Sequence, residues 1–246
     1  MRLNNENLYM VFNTSTKASD EWVELNEPAK QYLFMNPMNS EIKKAENRGN
    51  LIHIQLESEE SVFIKCSGNS ENVSPFVYEN VQLESEEIGA LWQVKFLEGG
   101  PVYPGNLQID ELQSWTKMGN DETQRFAGTV QYTTEFLHNK DSNLGVLNLG
   151  IIKDCARIKL NGKDYGSLLG PTFKLKVDNL VSGVNKLQIE VTNVAANRIR
   201  DLDLRGVEWR NFYDINFVNI EYQPFDSSGW EIREAGLLGP VTLTSF

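Results

Sequence analysis

Between Asn143 and Arg198, apolar and polar residues alternate with a period of two, and glycine-bearing turns interrupt the alternation at short intervals. The stretch reads LGVLNLGII, then CARIKLNGKDYG, then GPTFKLKVDNLVSGVNKLQIEVTNVAANR. Successive side chains of a strand point to opposite faces, so this period commits a segment to a half-buried β-strand. A helix would need apolar residues every third or fourth position. Within Lys186–Val194, Leu187, Ile189 and Val191 share one face, while Gln188, Glu190 and Thr192 share the other. Asn161-Gly162 predicts a type I′ hairpin turn, because both residues tolerate positive φ.

The same alternation recurs along most of the chain. Gly128–Leu137 is the clearest case, with Val130, Tyr132, Thr134 and Phe136 against Thr129, Gln131, Thr133 and Glu135. Further strands are predicted at Leu8–Phe12, Gln31–Met35, Leu51–Leu56, Val62–Cys66 and Phe76–Leu83. A second set is predicted at Leu91–Leu97, Gly145–Ile152, Ala156–Leu160, Phe173–Val177, Tyr213–Tyr222 and Val241–Thr244. Only Asp110–Met118 reads as a short helix, placed on the surface. The acidic run Glu84–Gly89 reads as a linker. The expected architecture is all-β: a small β-sandwich over residues 1–88, then a jelly-roll β-sandwich over residues 89–246.

Charge and motif content exclude several function classes. The chain has 246 residues and a formal net charge of -11, which repels phosphate backbones and argues against nucleic-acid binding. No apolar run approaches the roughly 20 residues that cross a bilayer. The start, MRLNNENLYMVFN, has no apolar signal-peptide core. It fits either a cytoplasmic protein or a piece of a longer exported chain. Cys66 shares parity with Val62 and Ile64, which points it to a core. Cys155 shares parity with Arg157 and Lys159, which points it outward, so a bridge between the two is disfavoured.

No CxxC, HExxH, P-loop or GxSxG pattern occurs. His53 on a polar strand face and His138 in a turn read as surface residues without an orienting partner. A glycosidase needs two carboxyls about 5–9 Å apart. Asp201, Asp203, Glu208, Glu231 and Glu234 are available, but they read as solvated loop residues, one Asp pairing Arg198 or Arg200. Aromatics are more informative. Trp115, Trp209, Phe212, Tyr213 and Trp230 fall in or beside connections, and NRIRDLDLRGVEWRNF sets planar polar groups next to them. A carbohydrate site uses that combination, and so does a domain interface.

An ordered set of segments then carries a resemblance. WQVKF, GGP, LQSWT, RFAGTVQYTTEF, LNLGIIKDCARIKLNG, GVNKLQIEVTNVAANR and GLLGPV follow one another from Trp92 to Val241. Together they resemble the C-terminal region of family 106 α-L-rhamnosidases and related family 2-type glycoside hydrolases. The resemblance is weaker over residues 8–66, through YLFMNPMNS and ESEESVFIK. It implies a galactose-binding-like sandwich, the sugar-binding domain of those enzymes. It also implies that the catalytic carboxylates lie on a separate (β/α)8 barrel, so that no catalytic residue is present here. Two aromatic positions differ: the family's Trp before the Asn-Arg pair is Ala195, and its Trp-Lys-Pro-Pro-Phe-like stretch reads Leu169-Gly170-Pro171-Thr172-Phe173.

The leading expectation is a non-catalytic carbohydrate-binding or scaffolding region whose partner is a carbohydrate or a glycosidase catalytic domain. Trp115 and Trp209 would stack on sugar faces, and Asn197 and Arg198 would hydrogen-bond hydroxyls. Two alternatives stand beside it: a small independent glycoside hydrolase using loop carboxylates, and a ligand-free interaction module with an exposed apolar patch. No cofactor is expected. The resemblance leaves room for a structural calcium ion, although no cluster of oxygen ligands is singled out.

Overall fold

A computed structural model describes residues 2–3, 6–38, 40–78, 84–170, 172–211, 218 and 220–245. The chain divides into two compact units, Met1–Gln82 with Leu169–Thr172, and Leu83–Leu168 with Phe173–Phe246. Both are built of antiparallel β-sheet, so the chain is all-β apart from short helical segments.

The first unit contains β1 (Arg2–Leu3), β2 (Glu6–Phe12), β3 (Ser19–Glu24), β4 (Gln31–Met35), β5 (Ile42–Lys44), β6 (Asn47–Arg48), β7 (Leu51–Leu56) and β8 (Ser61–Ser67). They form a five-stranded sheet, β1-β2-β8-β4-β5, and a three-stranded sheet, β3-β7-β6. Alternation sets which side chains enter the core. Ile52, Ile54 and Leu56 of β7 join Tyr32 and Phe34 of β4 and Val62, Ile64 and Cys66 of β8 in one buried cluster. Cys66 is buried and Cys155 half-buried, and both are free thiols.

The second unit contains β9 (Glu86–Glu87), β10 (Trp92–Gly100), β11 (Leu107–Ile109), β12 (Ala127–His138), β13 (Gly145–Asn148), β14 (Ile151–Lys153), β15 (Cys155–Leu160), β16 (Lys163–Leu169), β17 (Lys174–Val177), β18 (Gly183–Thr192), β19 (Gly236–Gly239) and β20 (Thr242–Ser245). A six-stranded sheet runs β11-β10-β12-β18-β15-β16, a four-stranded sheet runs β17-β13-β20-β9, and β14 pairs with β19. The longest ladder joins β12 to β18, from Thr129 opposite Thr192 to His138 opposite Gly183. The larger sheet sends Val94, Phe96, Tyr132, Ile158 and Ile189 into a buried cluster that also holds Leu147, Val177, Leu237 and Leu243 from the smaller ones. Burying each such aliphatic side chain contributes about 1.5–3 kcal/mol.

Several expectations change. The run predicted as one strand, Gly145–Ile152, is split into β13 and β14, which belong to different sheets. The break is at Gly150, whose φ is +65° and whose N–H donates to Asn148 Oδ1 at 3.0 Å. A Cβ there would lie 2.3 Å from the Pro240 carbonyl oxygen, so only glycine lets the chain cross. Glu86–Glu87, inside the expected linker, pairs as β9 with β20. The predicted helix over Asp110–Met118 is only a 3-10 turn at Trp115–Lys117, capped by Ser114, with Trp115 and Thr116 buried and Lys117 at the surface. Asn161-Gly162 turns with φ values of 49° and 80°, as a type I′ hairpin requires. Most of the strand predicted at Tyr213–Tyr222 lies outside the described residues, as do 79–83 of Phe76–Leu83, and Pro171, Phe212 and Tyr213.

Candidate functional site

Asn197 and Arg198 do not close a strand. After β18 the chain turns into a helix, α2 (Ala196–Leu204), the longer of two among the described residues; α1 is the single turn Asp121–Gln124. The signal for α2 is charge spacing: Asp201 accepts from Arg198 three residues earlier at 2.8 Å and from Arg205 four residues later at 2.7 Å. The helix stops at Gly206, whose φ is +64°. The Gly206 N–H donates to the Asp203 carbonyl, and the Val207 N–H reaches back to Leu202. Those two bonds are a Schellman stop, which needs a left-handed residue and therefore favours glycine.

Three side chains of α2, spaced three residues apart, grip a returning segment in antiparallel order. Asn197 bonds the backbone of Arg233, Arg200 donates from Nε to the Trp230 carbonyl, and Asp203 bonds Ser227. Asp203 is the most heavily used. Its side chain is 6% exposed, and it accepts from Ser227 N–H, Ser227 Oγ, Trp209 Nε1 and Arg210 between 2.7 and 2.9 Å. Burial alone would raise this carboxyl's pKa. The Ser227 N–H, the Trp209 indole, the Ser227 hydroxyl and the Arg210 charge outweigh burial and hold it below the ordinary range. An aspartate held ionised in this way is an anchor, unsuited to acting as a general acid at neutral pH.

Around that anchor the Phe225 ring meets Trp209 and Trp230 edge-on, and the Arg210 guanidinium lies 5.1 Å from the Trp209 ring centre. Beside them, between the end of α2 at Gly206 and Phe225, an open cleft of about 300 Å³ is lined by Asp203, Glu208, Arg210 and Asp226. Its size is at the lower end for small-molecule sites.

The four residues singled out from sequence take different places. Trp115 is fully buried and packs against Phe96 and Phe126, so neither ring face is open to a ligand. Asn197 is 5% exposed with its amide committed to Arg233. Arg198 is engaged by Asp201. Trp209 is half-buried and directs its indole N–H to Asp203. The structure therefore gathers Asn197, Arg198 and Trp209 around α2 and leaves Trp115 in the core. Sequence reasoning missed Asp203 as the hub and Ser227 as its partner, and nothing in local sequence joins residues so far apart.

Both histidines differ from their surface reading. His138 is fully buried, with Nε2 2.9 Å from the Ser142 carbonyl oxygen. The His53 ring is stacked between Trp22 and Tyr78 at 5.0 and 4.2 Å, and its Nε2 lies 2.5 Å from Asp20. Of the other carboxylates considered from sequence, Glu234 bonds Lys117 at 2.8 Å. Among the described residues no group of three or more His, Cys, Asp or Glu is placed to hold a metal ion. No described helix is long and apolar enough to cross a membrane.

No protein-family model matches the chain. A curated relative, a putative β-glucuronidase of Formosa agariphila, is 30% identical over 178 residues, 63% of this chain and 15% of its own length. The solved rhamnosidase of a Novosphingobium species superposes on 100% of this chain with a TM-score of 0.76 at 20% identity, over 23% of the rhamnosidase. A Bifidobacterium dentium β-glucuronidase matches 68% of the chain with a TM-score of 0.46 and 16% identity, over 30% of its own length. The chain thus spans less than a quarter of the curated relative and of the rhamnosidase, and it shares the fold of part of the rhamnosidase.

Proposed function

We propose that this chain is a non-catalytic, carbohydrate-binding region of a rhamnosidase-like glycoside hydrolase, with residues 1–88 and 89–246 as its two β-sandwich domains and the second a galactose-binding-like jelly roll. The observation that carries this reading is the 30% identity to a part, 15%, of a putative β-glucuronidase. Two features support it. The carboxylates of α2 are spent on structure, Asp201 on arginines and Asp203 on four donors, so they are not free to act as an acid and a nucleophile. Planar polar groups and aromatic rings also converge around the cleft at Gly206, the chemistry that sugar hydroxyls and C–H faces require. In this reading Trp209 contributes to the binding surface. Asn197 and Arg198 position α2 behind it, and the partner protein is a glycosidase catalytic domain.

The test is a pair of measurements on the full chain. Aryl α-L-rhamnosides and β-D-glucuronides are expected to stay intact. Titration with rhamnose, galactose or pectic oligosaccharides is expected to give saturable binding near millimolar concentration. Turnover that disappears in a single Asp or Glu variant would replace this reading with that of a small hydrolase.

A further inference from the structure

Among the described residues, the charge lining the cleft at the end of α2 is unbalanced. Three carboxylates, Asp203, Glu208 and Asp226, face one guanidinium, Arg210. Asp203 and Arg210 neutralise each other at 2.9 Å. That leaves Glu208 and Asp226, and among the described residues neither makes an ion pair. Asp226 accepts from the Ser228 N–H at 2.8 Å, and that bond holds its carboxyl in the ionised form. The C-terminal end of α2, reaching the cleft at Gly206, adds partial negative charge of its own.

Such a lining sorts ligands by charge. A hydroxyl donates to a carboxylate in a charge-assisted hydrogen bond. A ligand carboxylate in the same place would meet two like charges. At separations of several ångströms near a protein surface, that repulsion is enough to weaken binding about tenfold. Phe225 forms part of the wall. The lining therefore offers acceptors for hydroxyls and an apolar surface for C–H groups.

We propose that the cleft bounded by Gly206, Glu208, Arg210 and Asp226 is a subsite for a neutral monosaccharide unit and discriminates against uronates. The proposal rests on the carbohydrate-binding reading above and narrows its ligand class. It separates this chain's preference from the acidic sugar named by its curated relative.

The experiment is a titration of the ¹⁵N-labelled full chain, followed by NMR at neutral pH and constant ionic strength. The probes are L-rhamnose, D-galactose, D-glucuronate, D-galacturonate and calcium chloride. Neutral sugars are expected to shift the amides of Gly206, Val207, Glu208 and Asp226, and uronates to bind about tenfold more weakly. In the Glu208→Gln/Asp226→Asn double variant the preference is expected to shrink by about the same factor, because the polar shape survives and the charge does not. Equal or tighter uronate binding, an unchanged preference in the double variant, or calcium saturating the same amides would overturn the subsite. Sugar shifts confined to other residues would also overturn it while leaving the carbohydrate-binding reading standing. No shift with any sugar would remove both.

Discussion

The side chain of Asn197 and the backbone of Arg233 exchange two hydrogen bonds, each 2.8 Å: the Arg233 N–H donates to Oδ1, and Nδ2 donates to the Arg233 carbonyl. The amide reproduces the pairing of a neighbouring strand, so a helix residue closes the ladder of a segment that has none. Asn197→Ala removes both partners at once. A buried polar group left unsatisfied costs about 1–3 kcal/mol, and the variant is expected to lose that much stability. Chemical denaturation checks it, with faster amide exchange at Arg233 as the local signature. A loss under about 0.5 kcal/mol would show that water replaces the amide without penalty.

Asp203 gives a pH-dependent prediction. Its folded carboxyl titrates below its unfolded value, so its stabilising contribution is complete above the unfolded pKa of about 4 and disappears as pH falls through the folded value. Asp203→Asn is therefore expected to be clearly less stable than the parent at pH 7, with the difference narrowing below pH ~4. Urea unfolding at both pH values measures it. A constant difference would mean that the charge contributes nothing.

Gly236 occupies a position no side chain can share. Its φ is +106°, and a Cβ would lie 2.5 Å from the Tyr132 hydroxyl and 2.8 Å from the Trp115 ring. Gly236→Ala combines backbone strain with overpacking and is expected to cost about 2 kcal/mol or more. A Cβ added at Gly229 would meet nothing within 4 Å, and Gly229→Ala is expected to stay within about 0.5 kcal/mol of the parent. Similar thermal shifts for the two variants would contradict this packing.

Trp115 separates a core role from a ligand role. Its ring is fully buried, and its backbone N–H donates to the Ala235 carbonyl at 3.0 Å. Trp115→Ala is expected to cost about 3–5 kcal/mol. The milder Trp115→Phe should lower the melting temperature and leave sugar affinity in the folded protein unchanged. Weakened sugar binding in the Phe variant without loss of stability would return Trp115 to the site.

The long strands are legible in the sequence because burial on one face leaves its mark residue by residue. In β12 and β18 the side chains that alternate in sequence are the ones that alternate between core and surface. The break at Gly150 is not legible, since apolar residues continue on both sides of it, Leu149 before and Ile151 and Ile152 after. What divides that run is the Pro240 carbonyl approaching from a distant segment. Helix α2 has a local signal, the Arg198, Asp201 and Arg205 spacing with Gly206 after it, masked by the strand pattern leading into Val194.

Sequence alone determined the β character of this protein, the faces of its principal strands and the Asn161-Gly162 turn, because each depends on residues near one another in the chain. Tertiary structure decided that Trp115 belongs to the core, that His53 stacks between Trp22 and Tyr78, and that Asp203 joins Trp209, Arg210 and Ser227. Aromatic, imidazole and carboxylate groups are compatible with core, surface and site alike. Their role follows from the partners that packing brings to them, and the decisive partners of these three include residues far away in the chain.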